Sequence, residues 1–360
     1  MKYNYEYDRK LQVGYIGAGE HSFRNILPAM QYAPIELVAL TDHNTARGLA
    51  VARQFGFKRF YPNHKALIGK ESGLDAVLIA VGPDEEGRPR YPELAAEALT
   101  AGFHVWVDAP PCLTASEIST YTNACIKRRK YLAVGFVRRF APGYQRAIEI
   151  MADKTFGPLA TYSYTIPIAL PDLAHRRSDK GMAAFLPATE ALALLADLFG
   201  EIRAFSIARA ASGAAVLSLM HEGDLPGVLH LTAGQAGSAP AERLQITGRR
   251  ATLVVEDRNN VTYYRRTAAP SPELAGRQAS ALMEGTDTAP LVWRPRLDLQ
   301  EPATQAVALS GYLGSLTAFA ERLLANEPPR HGTLVEALHV MTVFDRIRQA
   351  KDMEWTRVQG

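Results

Sequence analysis

Apolar and polar positions alternate in two different ways along this chain, and the change falls near residue 137. Before it, short apolar runs at residues 13–16, 35–40, 75–81, 104–107 and 131–136 read as strands, with a shorter one at 58–61. Between them, residues 23–32, 45–55, 92–101 and 116–127 carry helical spacing. The helix at 92–101 has Pro92 at its first turn and Gly102 at its end, where proline and glycine suit a helix best. The run at 75–81 is almost wholly apolar, as a strand covered on both faces must be. Such alternation predicts a doubly wound parallel sheet over residues 1–136.

From 137 to 360 the pattern predicts an α+β unit. Helices are expected at 141–152 and 183–199, and a half-exposed strand at 159–166. Residues 168–181 read as an irregular charged loop. Strand-like runs at 202–210, 214–220, 228–233, 243–248, 252–256 and 261–265 predict a large open antiparallel sheet. Residues 267–287 read as a polar surface excursion, and helices at 304–325 and 334–351 close the chain.

One stretch carries chemistry. It reads Val13-Gly14-Tyr15-Ile16-Gly17-Ala18-Gly19-Glu20-His21-Ser22, a strand running through glycines into a helix. Gly17 permits a tight turn, and Gly19 lets the main chain approach a pyrophosphate with no Cβ in the way. The helix start then offers free N–H groups and a positive dipole end to the anion. Ser22 stands where the third glycine of G-x-G-x-x-G is usual, so the turn alone is a weak sign. The strand at 35–40 strengthens it, because it ends at Asp42, about 20 residues past Gly19, where a carboxylate accepts from an adenosine ribose. Ligands of such sheets lie beyond the carboxyl ends of strands, which points to Asp42, Gly82-Pro83-Asp84 and Asp108-Ala109-Pro110.

Composition narrows the classes. The chain has 360 residues, 47% apolar and 21% charged, with a net charge of +3, too small to argue for nucleic acid. The run Lys127-Arg128-Arg129-Lys130 reads as a solvated helix end. Two cysteines, Cys112 and Cys125, make no disulfide framework, and Cys112 reads as a small buried hydrophobe. No secretory leader, membrane span or metal site is expected, and a cytoplasmic location follows from the reduced cysteines.

Several segments resemble the glucose–fructose oxidoreductase / inositol dehydrogenase family, Gfo/Idh/MocA. They are the glycine turn, Leu40-Thr41-Asp42, residues 75–81, residues 98–105, residues 135–142 and Phe156-Gly157-Pro158-Leu159. The resemblance implies a Rossmann domain, an open-faced second domain, a tightly held NAD or NADP, sugar or cyclitol substrates, and a homodimer or homotetramer. It implies cofactor contacts from Gly17, Gly19, Glu20, His21 and Asp42. Val81, Gly82, Pro83, Asp108 and Pro110 follow along the cleft, with Arg47 and Arg139 as flanking cations. Asp42 favours NAD over NADP, because a 2′-phosphate would meet like charge; Arg47 works against that preference.

The chain departs from the family where chemistry is done. The usual Glu-Lys-Pro reads Asp108-Ala109-Pro110, so the lysine is replaced by a methyl group. The second-domain helix usually carries an Asp and a His four residues apart; here those places hold Leu186 and Glu190. Candidates for the missing proton carrier are His175, Lys180 and Glu190, with Tyr144 and Tyr164 as further acids. His175 beside Arg176 and Arg177 also reads as plain surface loop, and Glu190 as a solvent-facing or ion-paired residue. The expected function is an NAD-dependent oxidoreductase on a sugar or sugar-like polyol, with a variant in which bound NAD is recycled within one turnover. The alternative is a dinucleotide- or sugar-sensing regulator, or an accessory subunit, on the same fold.

Overall fold

The computed structural model describes residues 1–265, 289–295 and 302–358; the expected excursion at 267–287 lies outside them. Six strands build the first sheet: β1 (Leu11–Ile16), β2 (Ile35–Thr41), β3 (Arg59–Tyr61), β4 (Ala76–Ile79), β5 (His104–Asp108) and β6 (Leu132–Gly135). All pair in parallel in the order β3-β2-β1-β4-β5-β6. The order reverses between β1 and β4, so the loops after these strands diverge and leave a crevice at their carboxyl ends.

Nine strands build the second sheet: β7 (Leu159–Ile166), β8 (Ile202–Arg209), β9 (Ala215–His221), β10 (Pro226–Leu231), β11 (Arg243–Gly248), β12 (Thr252–Glu256), β13 (Asn260–Tyr264), β14 (Leu291–Trp293) and β15 (Trp355–Arg357). Their order is β14-β13-β12-β11-β7-β10-β9-β8-β15. The sheet is mostly antiparallel, as expected, but β7 and β10 run parallel at its centre. The parallel pair arises because the helices between β7 and β8 return the chain far from β7, and β10 then closes the gap. Strands β14 and β15 are short edge strands outside the sequence expectation.

The helices differ from the pattern at several places, each for a local reason. Over residues 22–30 the chain makes a wide π turn, Ser22–Ile26, before the short helix Leu27–Met30. Pro28 has no N–H and its ring crowds the preceding turn, which the wider winding relieves. The helix expected from 183 begins at Ala188, after Pro187. The stretch 168–181 is not irregular throughout: Leu173–Arg176 and Asp179–Ala183 are short helices, capped by the side chains of Asp172 and Ser178. The helix expected over 304–325 is two, Pro302–Leu309 and Tyr312–Leu324, broken at Gly311. Gly311 has φ +89°, and a Cβ there would lie 2.2 Å from the Val137 carbonyl oxygen.

That break positions the site. Helix Tyr312–Leu324 turns back under the first sheet, where Tyr312, Leu316, Phe319 and Leu323 share one core with Val13, Tyr15 and Trp106. The second core joins the outer faces of β4 and β5 to helix Ala188–Phe199 and to Leu334–Gln349. Among the described residues no helix is long and apolar enough to cross a membrane.

Candidate active site

The loops at the crevice enclose two adjoining cavities. One, about 340 Å³, is lined by Gly17, Asp42, His43, Arg47, His64 and Arg90, among others. The other, about 640 Å³, holds His21, Asn25, Asp108, Ala109, Pro110, Leu186, Glu190, Arg258 and Tyr312. They meet at Gly19, Ala80, Val81, Gly82 and Pro83. A long, two-lobed ligand therefore fits with its centre at the glycine turn.

The turn itself suits a pyrophosphate. Gly17 has φ +110°, and a Cβ there would sit 2.1 Å from the Ala80 carbonyl oxygen, so only glycine is accommodated. Gly19 faces open space, with nothing within 4 Å of an added Cβ. Ser22, in the third glycine place, is buried and donates its hydroxyl to the Ala80 carbonyl at 3.2 Å, which explains how a side chain is tolerated at this close approach. Glu20 lies at the rim, paired with Arg24 at 2.8 Å.

Asp42 closes the smaller lobe. Its carboxylate accepts from Ala18 N–H (2.7 Å), Asn44 N–H (2.7 Å) and the Arg47 guanidinium (2.8 Å). Burial works against the charge, but these donors outweigh it and hold the pKa below the usual carboxylate range. Arg47 is thereby committed to Asp42.

The larger lobe contains a chain of polar groups around Asp108. The Tyr312 hydroxyl donates to its Oδ1 at 3.2 Å, and Nε2 of His21 lies 3.0 Å from Oδ2 and 2.8 Å from the Tyr312 oxygen. Asn25 sits 3.2 Å from Nδ1 of His21, which fixes the ring with Nε2 facing the carboxylate. The bond to Asp108 raises the His21 pKa despite partial burial. Burial and the Asp108 charge together push the Tyr312 hydroxyl well above its ordinary range.

Across the lobe stands Glu190, in the first turn of helix Ala188–Phe199. Burial lifts its pKa to about 7; Arg138 pulls it down and Asp108 pushes it further up. Its Oε2 is buried with no hydrogen-bond partner, 3.9 Å from Nε of Arg138. Behind it lies a buried polar cluster. Arg138 donates to the Tyr164 hydroxyl at 2.6 Å and pairs closely with Glu242, and Tyr144 donates to Glu242 at 2.8 Å. Burial drives both tyrosine hydroxyls up, and neither residue lines the lobe.

Three sequence candidates fall elsewhere. His175 is 72% exposed and bonded to Asp172 at 2.7 Å. It lies beside a different hollow, formed by residues such as Pro167, Arg209 and Gly213. Lys180 is exposed on helix Asp179–Ala183 and does not line the cleft. The capped short helices turn both outward. Arg139 is turned away from the cofactor lobes too: the helical turn Arg138–Phe140 sends Arg138 inward and pairs Arg139 with Asp197. Asp197, His331 and Glu336 bring one ligand atom each within 4.8 Å of one another there, with the Arg139 guanidinium already against Asp197. Conversely, Tyr312, Asn25, Arg138 and Arg258 line the site and escaped the sequence reading as site residues. Only Arg138, within the family-like residues 135–142, carried a hint in the sequence.

Residues 11–136 match the model of an oxidoreductase family with an NAD-binding Rossmann fold, GFO_IDH_MocA. D-xylose 1-dehydrogenase (NADP(+)) 2 of Haloferax volcanii is 28% identical over 162 residues, 45% of this chain and 48% of that protein. Inositol 2-dehydrogenase of Acidothermus cellulolyticus is 30% identical over 141 residues, 38% of this chain and 39% of that protein. This chain thus spans less than half the length of these curated relatives. Whole-chain likeness comes from solved structures. Levoglucosan dehydrogenase in complex with NADH and levoglucosan matches 98% of this chain and 100% of its own at 16% identity, with a TM-score of 0.74. An oxidoreductase from Agrobacterium radiobacter in complex with NAD+, L-tartaric acid and magnesium matches 97% and 98% at 14% identity, also with a TM-score of 0.74. At such identities these two establish the fold. The family model thus covers the first third of the chain, where it describes an NAD-binding Rossmann fold.

Proposed function

We propose that this protein is an NAD-dependent oxidoreductase acting on a CH–OH group of a sugar or sugar-like polyol, with Glu190 as the proton carrier. The observation that carries the reading is Glu190 itself. It is a carboxyl with a pKa near 7 on a side chain that lines the lobe beyond the glycine turn. The residues fit the cofactor: the Gly17–Gly19 turn leaves room for a pyrophosphate, and ionised Asp42 accepts from ribose hydroxyls while opposing a 2′-phosphate. Asp42→Ser is expected to shift preference toward NADP by roughly tenfold or more, since one carboxylate–phosphate repulsion is worth about 1.4 kcal/mol or more in a partly buried site.

A bound nicotinamide supplies the two-electron acceptor for the carbinol hydrogen. Glu190 takes the hydroxyl proton as the C–O bond becomes a carbonyl, and Arg138 steadies the carboxylate before transfer. The Asp108–His21–Tyr312 chain forms the far side of the lobe, with the Tyr312 hydroxyl proton and His21 Nε2 committed to Asp108. A positioned base contributes about 10²–10⁴-fold. Glu190→Gln is therefore expected to lower kcat by that factor while leaving NAD affinity within about twofold. Oxidation rate should rise with pH through about 7, as Glu190 ionises. A panel of sugars with NAD+, read by formation of reduced cofactor, tests this. Full activity in Glu190→Gln would remove the residue from the role.

A second reading draws support from Ala109 and Leu186, which line the cleft where the family usually has Lys and Asp. It is a sensor or accessory subunit that binds the dinucleotide without turnover. Tight NAD binding with no reduction by any sugar would favour it. We propose a homodimer or homotetramer through the outer face of the second sheet, where Val216 is exposed.

A further inference from the structure

Arg258 occupies an unusual backbone position. It lies in the turn Asp257–Arg258–Asn259 between β12 and β13, which closes on the pair Glu256 and Asn260. Asp257 and Arg258 have φ of +48° and +65°, both left-handed. Hairpin turns with successive positive φ are normally filled by asparagine, aspartate and glycine, because a long side chain there crowds its own backbone. Asp257 fits that rule and Arg258 does not.

The surroundings hold the turn in place. Asp257 accepts from the Ala241 N–H at 2.6 Å, and its own N–H donates to the Glu242 carbonyl at 3.0 Å. Asn259 donates to the Leu309 carbonyl at 3.2 Å. Helix Pro142–Ala152 packs so tightly beneath that a Cβ on Gly143 would lie 2.3 Å from the Arg258 carbonyl oxygen. An over-determined, strained residue whose side chain enters a cleft is the pattern expected of a functional contact.

The side chain enters the larger lobe. Its Nε lies 3.3 Å from Oε1 of Glu242, which pins one edge of the guanidinium. Glu242 is the closer partner of Arg138, whose NH1 also bonds Tyr164. Two guanidiniums thus share one carboxylate. NH1 of Arg138 is taken by Tyr164 and Glu242 and its Nε is buried, whereas the terminal nitrogens of Arg258 have no hydrogen-bond partner among the described residues. A planar pair of N–H donors matches a carboxylate in two-pronged contact. A phosphate dianion suits it less well, with the Glu190 and Glu242 carboxyl groups close by.

We infer that Arg258 is a specificity residue that receives the carboxylate of the substrate, so that the preferred substrate is a sugar acid rather than a neutral sugar. This rests on the reading of the lobe as the substrate site, given above. The carbinol to be oxidised then lies at the Glu190 end and the acid group at the hairpin.

The test separates binding from turnover. The NADH-bound protein is titrated by calorimetry with D-gluconate, D-glucuronate and D-galacturonate, and with neutral glucose, galactose and myo-inositol. Hydride transfer is followed separately with NAD+. At least one acid is expected to bind tenfold or more tightly than its neutral counterpart. Arg258→Gln should reduce that ratio to within about twofold, and Arg258→Lys, which keeps the charge, should retain part of it. Melting temperature and circular dichroism establish that both variants fold. Equal binding of acid and neutral sugars, absence of binding by all six, or an unchanged ratio in folded Arg258→Gln overturns the inference. An acid that binds through Arg258 yet is never oxidised leaves the inference standing and removes the oxidoreductase reading instead.

Discussion

The hydroxyl of Tyr312 donates to the carboxylate of Asp108 at 3.2 Å, joining the end of β5 to a helix 204 residues further along the chain. Both groups are buried, and the bond fixes helix Tyr312–Leu324 under the first sheet while completing the wall of the cleft. Losing a buried bond to a charged acceptor costs about 1.5–3 kcal/mol. Tyr312→Phe should lower stability to urea by that amount, with Phe retaining the ring packing. Unchanged unfolding would mean that solvent or His21 replaces the lost donor at no cost.

Glu190 makes a stability prediction independent of catalysis. Its carboxyl pKa is raised from 4.5 to about 7 in the folded chain. Between those values the native state holds a proton that the unfolded chain has lost, so stability falls as pH rises through the window and the cost is complete above it. The full cost is up to about 3 kcal/mol. Glu190→Gln should therefore be more stable than the parent at pH 8 by roughly 1–3 kcal/mol, with the gain absent near pH 4. Denaturant melts at the two pH values check this, and an equal difference at both would disprove the raised pKa.

The two turn glycines should respond differently. Gly17 has a positive φ and no room for a Cβ, so Gly17→Ala is expected to cost about 1–3 kcal/mol of stability and to abolish NAD binding. At Gly19 nothing lies within 4 Å of an added Cβ, so Gly19→Ala should melt within about 0.5 kcal/mol of the parent. It should still bind NAD at least tenfold more weakly, because its methyl group occupies space reserved for the pyrophosphate. Calorimetry and thermal melts separate the two effects. If Gly19→Ala bound NAD normally, the dinucleotide would not cross the chain there.

Strands were easier to read than contacts. The parallel strands announced themselves as apolar runs, because burial on both faces leaves no choice of residue, and the glycine turn with Asp42 marked the crevice between them. What the pattern does not carry is which side chains meet across distant segments. Tyr312 looked like one apolar position in a long helix; only the break at Gly311 turns its hydroxyl to Asp108. His175 and Lys180 were drawn from a charged stretch expected to border the cleft, and two capped helical turns point them outward. Glu190 is different, because its place four residues after Leu186 and ten before Gly200 could be counted, and helical geometry does the rest. Arg258 shows the reverse case: nothing in the residues 256–260 predicts left-handed backbone at an arginine, since the surrounding packing imposes it.

Elsewhere in the second sheet a buried histidine has a titration that can be followed. His221 is fully buried in the second sheet, with Nδ1 2.6 Å from the Gly200 carbonyl and Nε2 2.6 Å from the Tyr162 hydroxyl. Nδ1 carries the proton and donates to the carbonyl, so Nε2 accepts from Tyr162 and the ring is neutral. Burial pushes its pKa from 6.5 down to about 4. For a histidine with a depressed pKa, the unfolded chain takes up the proton first. Stability is thus fully present above pH 6.5 and drains away as pH falls toward 4. The loss attributable to this one ring is about 2 kcal/mol at pH 5. Urea unfolding of the parent and of His221→Gln at pH 7.5 and pH 5 should show the variant weaker at the higher pH, yet with a pH-dependent loss smaller by roughly that amount. Parallel losses in the two proteins would mean that His221 is already protonated, or is exposed, in the folded chain.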